Sequence, residues 1–332
     1  MAFTNDQLAV FQGVAVVSGS LSVIACSCTL VFIAMRWKTI MNRSLHRFGF
    51  FVIACDLVCC LNMAVGNIPI GMLTSTAIPC HIQASLIQFS SSAGTYLLLC
   101  LGIQSYRVIF LNTPIEALRR SENYYHLASW MAPLATSLGL LLAGSPRGTP
   151  IYGSATLWCW ISSAYTDYRI IFLYGGLWLI IIINLHIYIV VGLMLYSGRH
   201  DTSSDPVPAA TPSSIGHGYN DVYEAYIGND GEHMSSGMKH YSICSSLYMV
   251  AFLIAWIPPT INRFQNLADP ENPVFLLVVL QAAFNPSCGW IKCCVLFFYE
   301  YSWNRRRAAK FEITNSQLYV DQTYPIDKSN MC

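Results

Sequence analysis

Charge is scarce in this sequence. Asp, Glu, Lys and Arg make up only 11% of its 332 residues, whereas 54% are hydrophobic, and the formal net charge is +1. A soluble domain of this length exposes far more charge, and binding of nucleic acid needs a basic excess that is absent here. The composition therefore indicates a membrane protein and argues against a nucleic-acid partner.

The sequence also lacks the residue patterns of a catalytic centre. It contains no pair of carboxylates within an apolar segment, no His/Cys cluster with the spacing of metal ligands and no glycine-rich phosphate loop. We therefore expect a protein that is not an enzyme and that needs no metal and no cofactor.

Long apolar runs fill most of the chain. A helix needs about 20 residues to cross roughly 30 Å of hydrocarbon. Seven stretches have about that length, at approximately 10–35, 48–72, 85–106, 127–144, 170–196, 241–261 and 274–298. In lipid each segment must satisfy its own backbone hydrogen bonds, so each run is predicted to be a helix. The predicted fold is an all-α membrane protein with a bundle of seven transmembrane helices.

Lys and Arg are unevenly distributed between the loops. Only Arg147, Arg169 and Arg263 fall on one side of the predicted membrane, whereas the other fifteen fall on the opposite side. Because cytosolic loops are enriched in these residues, the N-terminus is predicted to lie outside the cell and the C-terminus in the cytosol. Lys292, near the end of the seventh span, is counted with the cytosolic group and is expected to snorkel towards the headgroups.

This topology divides the chain into three regions. Residues 1–9 lack the basic region of a signal peptide and are expected to form a short extracellular N-terminus. Residues 10–299 form the membrane domain, in which 197–240 is predicted to be a mobile third cytosolic loop that serves as a kinase substrate or as a spacer. Residues 300–332 form a cytosolic tail, with a short amphipathic helix around Arg305, Arg306 and Arg307 facing anionic lipid.

Of the 13 cysteines, only Cys80 and Cys159 fall on the oxidising side in this topology. A disulfide between them would tie the second outer loop, which contains "LWCWI", to the start of the third helix. The alternative is two free thiols. The neighbouring Trp158 and Trp160 are predicted to lie at the membrane interface, where indole rings are enriched.

Asp56 is the only carboxylate inside a predicted span. An ionisable group in the membrane is costly without a partner, so a functional role is the first interpretation. We expect Asp56 to join Asn285 in a polar network that rearranges on activation and that holds a cation in one version of the hypothesis. The alternative is a static contact between two helices.

The sixth span contains Trp256, Pro258 and Pro259. Proline removes a helical hydrogen bond and kinks the helix. The segment is therefore either a hinge, with Trp256 as a lever, or the place where the helix ends near Thr260. Asp56, Trp256, Pro258 and Asn285 together form the predicted activation switch.

Four short motifs resemble those of one receptor family: "CDLVCC" in the second span, "WCWI" in the second outer loop, "AWIPPTINRFQNL" in the sixth span and "QAAFN" in the seventh. Seven spans and the outer bridge resemble G-protein-coupled receptors, and the motifs are similar to those of the cAMP-receptor-like receptors of slime molds and fungi and their fungal glucose-receptor relatives. The rhodopsin-like Asp/Glu-Arg-Tyr motif is missing, because the third span ends in Gln104-Ser105-Tyr106-Arg107.

The resemblance implies a plasma-membrane receptor that senses an extracellular ligand and activates a heterotrimeric G protein. The residues expected to line the outer ligand site are Trp160, Asp167, Arg169, Asn262 and Arg263. The residues expected to contact the G protein are Arg43, Arg107 and Lys239. A small-molecule transporter and a retinal-type photoreceptor are the alternatives. The sequence leaves the ligand and the oligomeric state open, a homodimer included.

Overall fold

The computed structural model describes residues 3–66, 78–111, 113, 115–155, 157–200, 236–302 and 304–305. This part of the chain is mostly helical. Its long helices are α1 (Asn5–Met35), α2 (Ser44–Val65), α3 (Ile78–Ile109), α4 (Ile115–Leu142), α5 (Gly175–His200), α6 (Ser236–Ala268), α7 (Phe275–Phe284) and α8 (288–302). Short helices span Trp37–Ile40 and Thr166–Arg169, with a 3₁₀ turn at Ser163–Tyr165 and a π-helical turn at Ile170–Tyr174.

Five of the described helices are long and apolar enough to cross a membrane. They are Asn5–Met35, Ser44–Val65, Ile78–Ile109, Ser163–Met194 and Tyr241–Ala268. Helix α4 is less apolar because its first two turns carry Glu116, Arg119, Arg120 and Glu122. The seventh predicted span is divided into α7 and α8 by a turn at 285–287, where Pro286 has no N–H to donate. The helical class is confirmed, and the count of seven spans stays a prediction.

Several helices extend beyond the predicted spans. Helix α1 begins at Asn5 because Thr4 caps it: the Thr4 hydroxyl accepts from the Gln7 N–H, and the Gln7 side chain accepts from the Thr4 N–H. The expected N-terminal tail is therefore helical from residue 5. Helices α5 and α6 likewise run into the predicted loop 197–240, whose residues 201–235 lie outside the described part, as do 306–332 of the tail.

Helix α3 lies at the centre of the packing. It contacts α2, α4, α5 and α6 and both strands of a short β-hairpin, while α1 packs against α2 and α7. Its polar side chains are shielded from lipid by these neighbours: Gln83, Gln88 and Gln104 are all buried. The polar first half of this predicted span is thus compatible with a helix in a membrane because other protein segments surround it.

The β-hairpin covers one end of the helices, which we call the hairpin end; the opposite end is the far end. Strands β1 (Tyr152–Ser154) and β2 (Cys159–Ile161) pair in antiparallel fashion, with Gly153 opposite Trp160. Cys159 forms a disulfide with Cys80 in the first turn of α3, so the predicted pairing is confirmed. The Cys159 N–H also donates to Gln83 Oε1 at 2.9 Å, a second link between hairpin and helix.

The two tryptophans of the hairpin region lie inside the protein. Trp158 and Trp160 are only 3% and 5% exposed, so their predicted position at the membrane interface is wrong. The physical reason is that the disulfide and the Gln83 bond hold β2 against α3, which turns the indole rings inwards.

The disulfide can be tested by substitution. Cys80→Ala and Cys159→Ala are each expected to lower the free energy of unfolding by about 2–4 kcal/mol, because the bond restricts the unfolded chain. The double variant should add little to either single change, since both remove the same bond. Thermal unfolding of the purified protein measures this, with Cys28→Ala as the control because Cys28 is a free, exposed thiol. Alkylation of both thiols in the folded, unreduced protein would contradict the pairing.

Candidate functional site

Two arginines lie close together beneath the hairpin. Arg169 ends the short helix Thr166–Arg169, and its Nε donates to the Ile161 carbonyl of β2 at 2.8 Å. Its guanidinium carbon lies 5.5 Å from the centre of the Trp160 ring. Arg263 comes from α6, with its guanidinium carbon 5.1 Å from the centre of the Tyr174 ring. The two positive charges are near enough to repel each other.

Both arginines are buried, and their hydrogen-bonding capacity is not fully used. Arg169 is 8% exposed and Arg263 is 6% exposed, and the Arg169 Nη2 and Arg263 Nε atoms have no hydrogen-bond partner among the residues that the structure describes. Neither arginine belongs to any of the ion pairs found among the described residues. Because a buried charge without a counter-charge is costly, this pair of cations favours the binding of an anion.

Aromatic rings surround the arginine pair. Gln88, which is fully buried on α3, accepts a hydrogen bond from Trp160 Nε1 at 2.9 Å and donates to the Phe172 carbonyl at 2.8 Å. Gln88 therefore fixes the Trp160 indole against the turn that precedes α5. The Tyr174 ring lies between the two sides of the site, 6.1 Å from the Trp160 ring and 6.3 Å from the Trp256 ring.

The predicted outer-site residues do not all meet. Trp160, Arg169 and Arg263 come together as described. Asn262 is buried one residue before Arg263, but its amide donates to Gln281 Oε1 of α7. It lies inside α6, which continues to Ala268.

Asp167 points away from the arginine pair. Its side chain is 47% exposed and forms a two-bond ion pair with Arg147, with a shortest separation of 2.7 Å. The Asp167 carboxylate raises the pKa of the Arg147 guanidinium through these hydrogen bonds. This exposed pair neutralises itself, so the prediction that Asp167 lines the ligand site is not matched by its position.

A second polar cluster lies deeper between the helices. Lys292 Nζ of α8 is 2.9 Å from Asp56 Oδ1 of α2, and both side chains are buried. Asp56, Trp256 and Asn285, three of the four predicted switch residues, line one cavity of about 10 Å³ together with Lys292. Asp56 Oδ2 has no hydrogen-bond partner among the described residues. A cavity of this size holds about one water molecule.

The position of Lys292 corrects the sequence prediction. Its side chain is 3% exposed, so it does not snorkel to the headgroups, and its ammonium group is a charged partner of Asp56. The turn at 285–287 breaks the helix just before this residue and allows α8 to present Lys292 to α2. The sequence contained a signal for this pair. Asp56 is the only charged residue in the predicted second span, and Lys292 is the only charged residue in the predicted seventh span.

Helix α6 does not stop at its two prolines. It passes through Pro258 and Pro259 and continues to Ala268, so the alternative that the helix ends near Thr260 is wrong. Trp256, 5% exposed, lies immediately before them and reaches the Tyr174 ring on one side and the cavity on the other. The prolines therefore separate the part of α6 that carries Arg263 from the part that reaches the far end.

At the far end, hydrogen bonds join α3 to two neighbouring helices. The Gln104 Oε1 atom accepts from the Ser44 hydroxyl of α2 at 2.8 Å and from the Tyr241 hydroxyl of α6 at 2.9 Å. The hydroxyls of Ser105 and Ser245 share a hydrogen bond of 2.6 Å between α3 and α6. Sequence reasoning assigned no role to these residues.

Two of the three predicted G-protein contacts bond to other residues of this chain. Arg43 is paired with Glu300 of α8 at 3.0 Å, and Arg107 donates to the hydroxyls of Ser121 and Tyr125 on α4. The Lys239 side chain lies outside the described part. Arg43 and Arg107 therefore hold neighbouring helices together.

Comparison with known proteins places these clusters in context. A family model described as the slime mold cyclic AMP receptor matches residues 3–206, well over half of the chain. The chain belongs to the slime mold cyclic AMP receptor family. Together with the five apolar helices, this membership identifies a multi-pass membrane protein of a receptor family.

Three relatives from Dictyostelium discoideum show how far the similarity to this family extends. Cyclic AMP receptor-like protein A is 25% identical over 218 residues, which are 66% of this chain and 47% of that protein. Cyclic AMP receptor 1 is 28% identical over 198 residues, 58% of this chain and 41% of that protein. Cyclic AMP receptor 2 is 24% identical over 315 residues, 93% of this chain and 73% of that protein. The alignments with the first two thus span less than half of their length.

Substitutions can measure how much the Asp56–Lys292 pair contributes to the free energy of unfolding. Asp56→Asn leaves the Lys292 ammonium buried without a counter-charge and should lower the free energy of unfolding by about 3–5 kcal/mol. Adding Lys292→Met should recover much of the loss, because an apolar side chain of similar length then replaces the charge. Asp167→Asn, at a half-exposed ion pair, is the control and should change stability by less than about 1 kcal/mol.

Thermal unfolding in detergent micelles measures all four proteins under one condition. A double variant no more stable than Asp56→Asn alone would show that the two residues do not act as a pair.

Proposed function

We propose that this chain is a plasma-membrane receptor with seven transmembrane helices that binds an anionic extracellular ligand and activates a heterotrimeric G protein. The hairpin end faces outwards in this proposal, which suits a disulfide, because disulfides persist on the oxidising side. The end of α4 and the α7–α8 pair supply the two spans beyond the five apolar helices. The observation that carries the proposal is the buried pair of guanidinium groups, for which the described part of the chain supplies no carboxylate partner.

The surroundings of Arg169 and Arg263 favour a particular kind of anion. Guanidinium groups bind phosphate and carboxylate through paired, charge-assisted hydrogen bonds. The Trp160 and Tyr174 rings beside them offer flat apolar faces for a ring system. A cyclic nucleotide has both a phosphodiester anion and a purine, and the relatives are named as cyclic AMP receptors. Cyclic AMP is therefore the first ligand to test.

Ligand binding would act on the part of α6 between its prolines and the hairpin end. Arg263 contacts Tyr174, and Tyr174 contacts Trp256, which lines the cavity of Asp56 and Lys292. An anion that draws Arg263 towards Arg169 displaces the hairpin end of α6, and the prolines let the far end respond by swinging outwards. That swing breaks the hydrogen bonds that join α6 to α3 at Gln104 and Ser105.

The G protein would enter the space opened at the far end. Arg107 and Arg43 are held by partners in the present arrangement, so each must exchange an internal partner for one on the G protein. Lys239, at the start of α6, moves with the swing in this proposal. These three residues remain the proposed coupling contacts.

The photoreceptor alternative is not favoured by the geometry around Lys292. The cavity beside this residue has a volume of about 10 Å³, whereas pockets for ligands of retinal size measure roughly 300 Å³ or more. No specific observation favours a transporter.

Binding of cyclic AMP tests the ligand site. Arg169→Gln and Arg263→Gln are each expected to weaken binding about 10- to 100-fold, because each removes a charge-assisted hydrogen bond to the anion. Arg147→Gln is the control and should bind as the parent does, since its exposed guanidinium is paired with Asp167. Adenosine, which has no phosphate, should bind weakly to all four proteins. Parent-like affinity in both buried-site variants would remove the arginines from the site.

Basal nucleotide exchange on a purified G protein tests the swing of α6. Ser245→Ala removes the bond to Ser105 and should raise basal exchange a few-fold, since one such interhelical bond contributes roughly 0.6–2 kcal/mol in a membrane. Ser246→Ala is the matched control, because within the described part of the chain that hydroxyl bonds to the Ser242 carbonyl of its own helix and to no other helix. Equal basal rates in the two variants would show that the Ser105–Ser245 bond does not restrain α6.

A further inference from the structure

The segment that leads from the hairpin into α5 contains a π-helical turn. It spans Ile170–Tyr174 and ends where the Gly175 N–H donates to the Ile170 carbonyl, five residues back. Such turns are rare and occur mainly as single turns within α-helices, often at functional sites. This turn lies directly between Arg169 and the rest of α5.

Position 175 has no room for a side chain. A Cβ atom there would lie 2.9 Å from the Ile170 carbonyl oxygen, which is a backbone atom and cannot move aside without changing the turn. The next residue, Gly176, has no atom within 4 Å of the corresponding position. The two adjacent glycines therefore differ in the space available for a side chain. The π turn requires a glycine at position 175, and it does not require one at position 176.

The π turn determines the direction of the residues that precede it. It contains about one residue more than an α turn, and one residue corresponds to a rotation of about 100° around a helix axis. Arg169 is the residue immediately before the turn, and Tyr174 is its last residue. If the turn tightened to an α turn, Arg169 would rotate away from Arg263 and from its present bond to the Ile161 carbonyl.

The turn is also connected to the aromatic side of the site. The Phe172 carbonyl, within the turn, accepts from Gln88, and Gln88 in turn holds the Trp160 indole. A change in the turn would therefore reach Trp160, whose ring faces the Arg169 guanidinium. Both the charged and the aromatic groups of the arginine site depend on this one turn.

We propose that Gly175 is a positioning residue of the ligand site: its lack of a side chain permits the π turn that aims Arg169 towards Arg263 and fixes Trp160 through Gln88. The inference rests on the proposed function, because the arginine site is where its effect on binding is read. It adds a specific requirement at a residue that itself touches no ligand.

Gly175→Ala and Gly176→Ala form a matched pair for the test. Gly175→Ala should weaken cyclic AMP binding about 10- to 100-fold, as expected when a charged hydrogen bond is misplaced. Gly176→Ala should bind cyclic AMP as the parent does. Parent-like affinity in Gly175→Ala would overturn the proposal.

Deletion of Ile171 separates positioning from general damage. This residue is 63% exposed. Its removal takes out the extra residue of the π turn and leaves an α turn. Because the turn then has one residue fewer, Arg169 keeps its direction relative to α5. In the deletion background, Gly175→Ala should no longer reduce affinity. If Gly175→Ala alone fails to fold, the deletion should restore its folding and surface expression. If the combined variant is as impaired as Gly175→Ala alone, the positioning role is wrong.

A measurement without ligand distinguishes failure of this inference from failure of the proposed function. The fluorescence contribution of Trp160, obtained as the difference between each protein and its Trp160→Phe counterpart, should shift in Gly175→Ala and not in Gly176→Ala. If the parent protein binds no anion, the proposed ligand is wrong. A shifted Trp160 spectrum in Gly175→Ala would still support the role of Gly175 in placing Trp160. An unshifted spectrum would overturn the role of Gly175 whatever the parent binds.

Discussion

A charge inside an apolar bundle must find a partner there, and the pairing of Asp56 with Lys292 is the contact on which the deep interior depends. The ion pair joins α2 to α8 and lies where Trp256 of α6 and Asn285 also converge. Neither charge is tolerable alone in this environment, because burial removes the water that would solvate it. The turn at 285–287 divides the seventh segment, and the helix that follows it carries Lys292, which pairs with Asp56 of α2.

Uncharged polar side chains inside the bundle also have partners, as three buried glutamines of α3 show. Gln83 donates to the Asn62 and Gly66 carbonyls and accepts from the hairpin. Gln88 connects Trp160 to the turn before α5, and Gln104 connects α2 to α6. Each amide bonds to groups from other segments, so these side chains fix the relative positions of the elements around the central helix. Hydrophobic packing alone is less directional.

Arg169 and Arg263 differ from these residues, and that difference supports the proposed ligand site. Two cations lie buried under a disulfide-anchored hairpin, and one nitrogen atom of each has no acceptor within the described ranges. In the same protein Asp56 has a lysine, Arg43 has a glutamate and the exposed Arg147 has an aspartate. The two arginines at the hairpin end belong to no ion pair within the described part of the chain, and their charge and burial suit the proposed anionic ligand.

The amino-acid sequence by itself determined the helical class, the approximate positions of the apolar segments and the Cys80–Cys159 bond. These follow from composition, run length and the unequal distribution of Lys and Arg, which are properties of the chain as a solute in lipid. It also singled out Asp56, Trp256, Asn285, Arg169 and Arg263 as residue types that need an explanation. What only the tertiary structure decided is which of these side chains meet. Lys292 and Trp160 are buried, whereas Asp167 is exposed. The direction of these side chains depends on partners from distant segments of the chain, which no local sequence pattern reveals. The π turn at Ile170–Tyr174 likewise has no signal in hydropathy, since a single extra residue changes direction without changing composition.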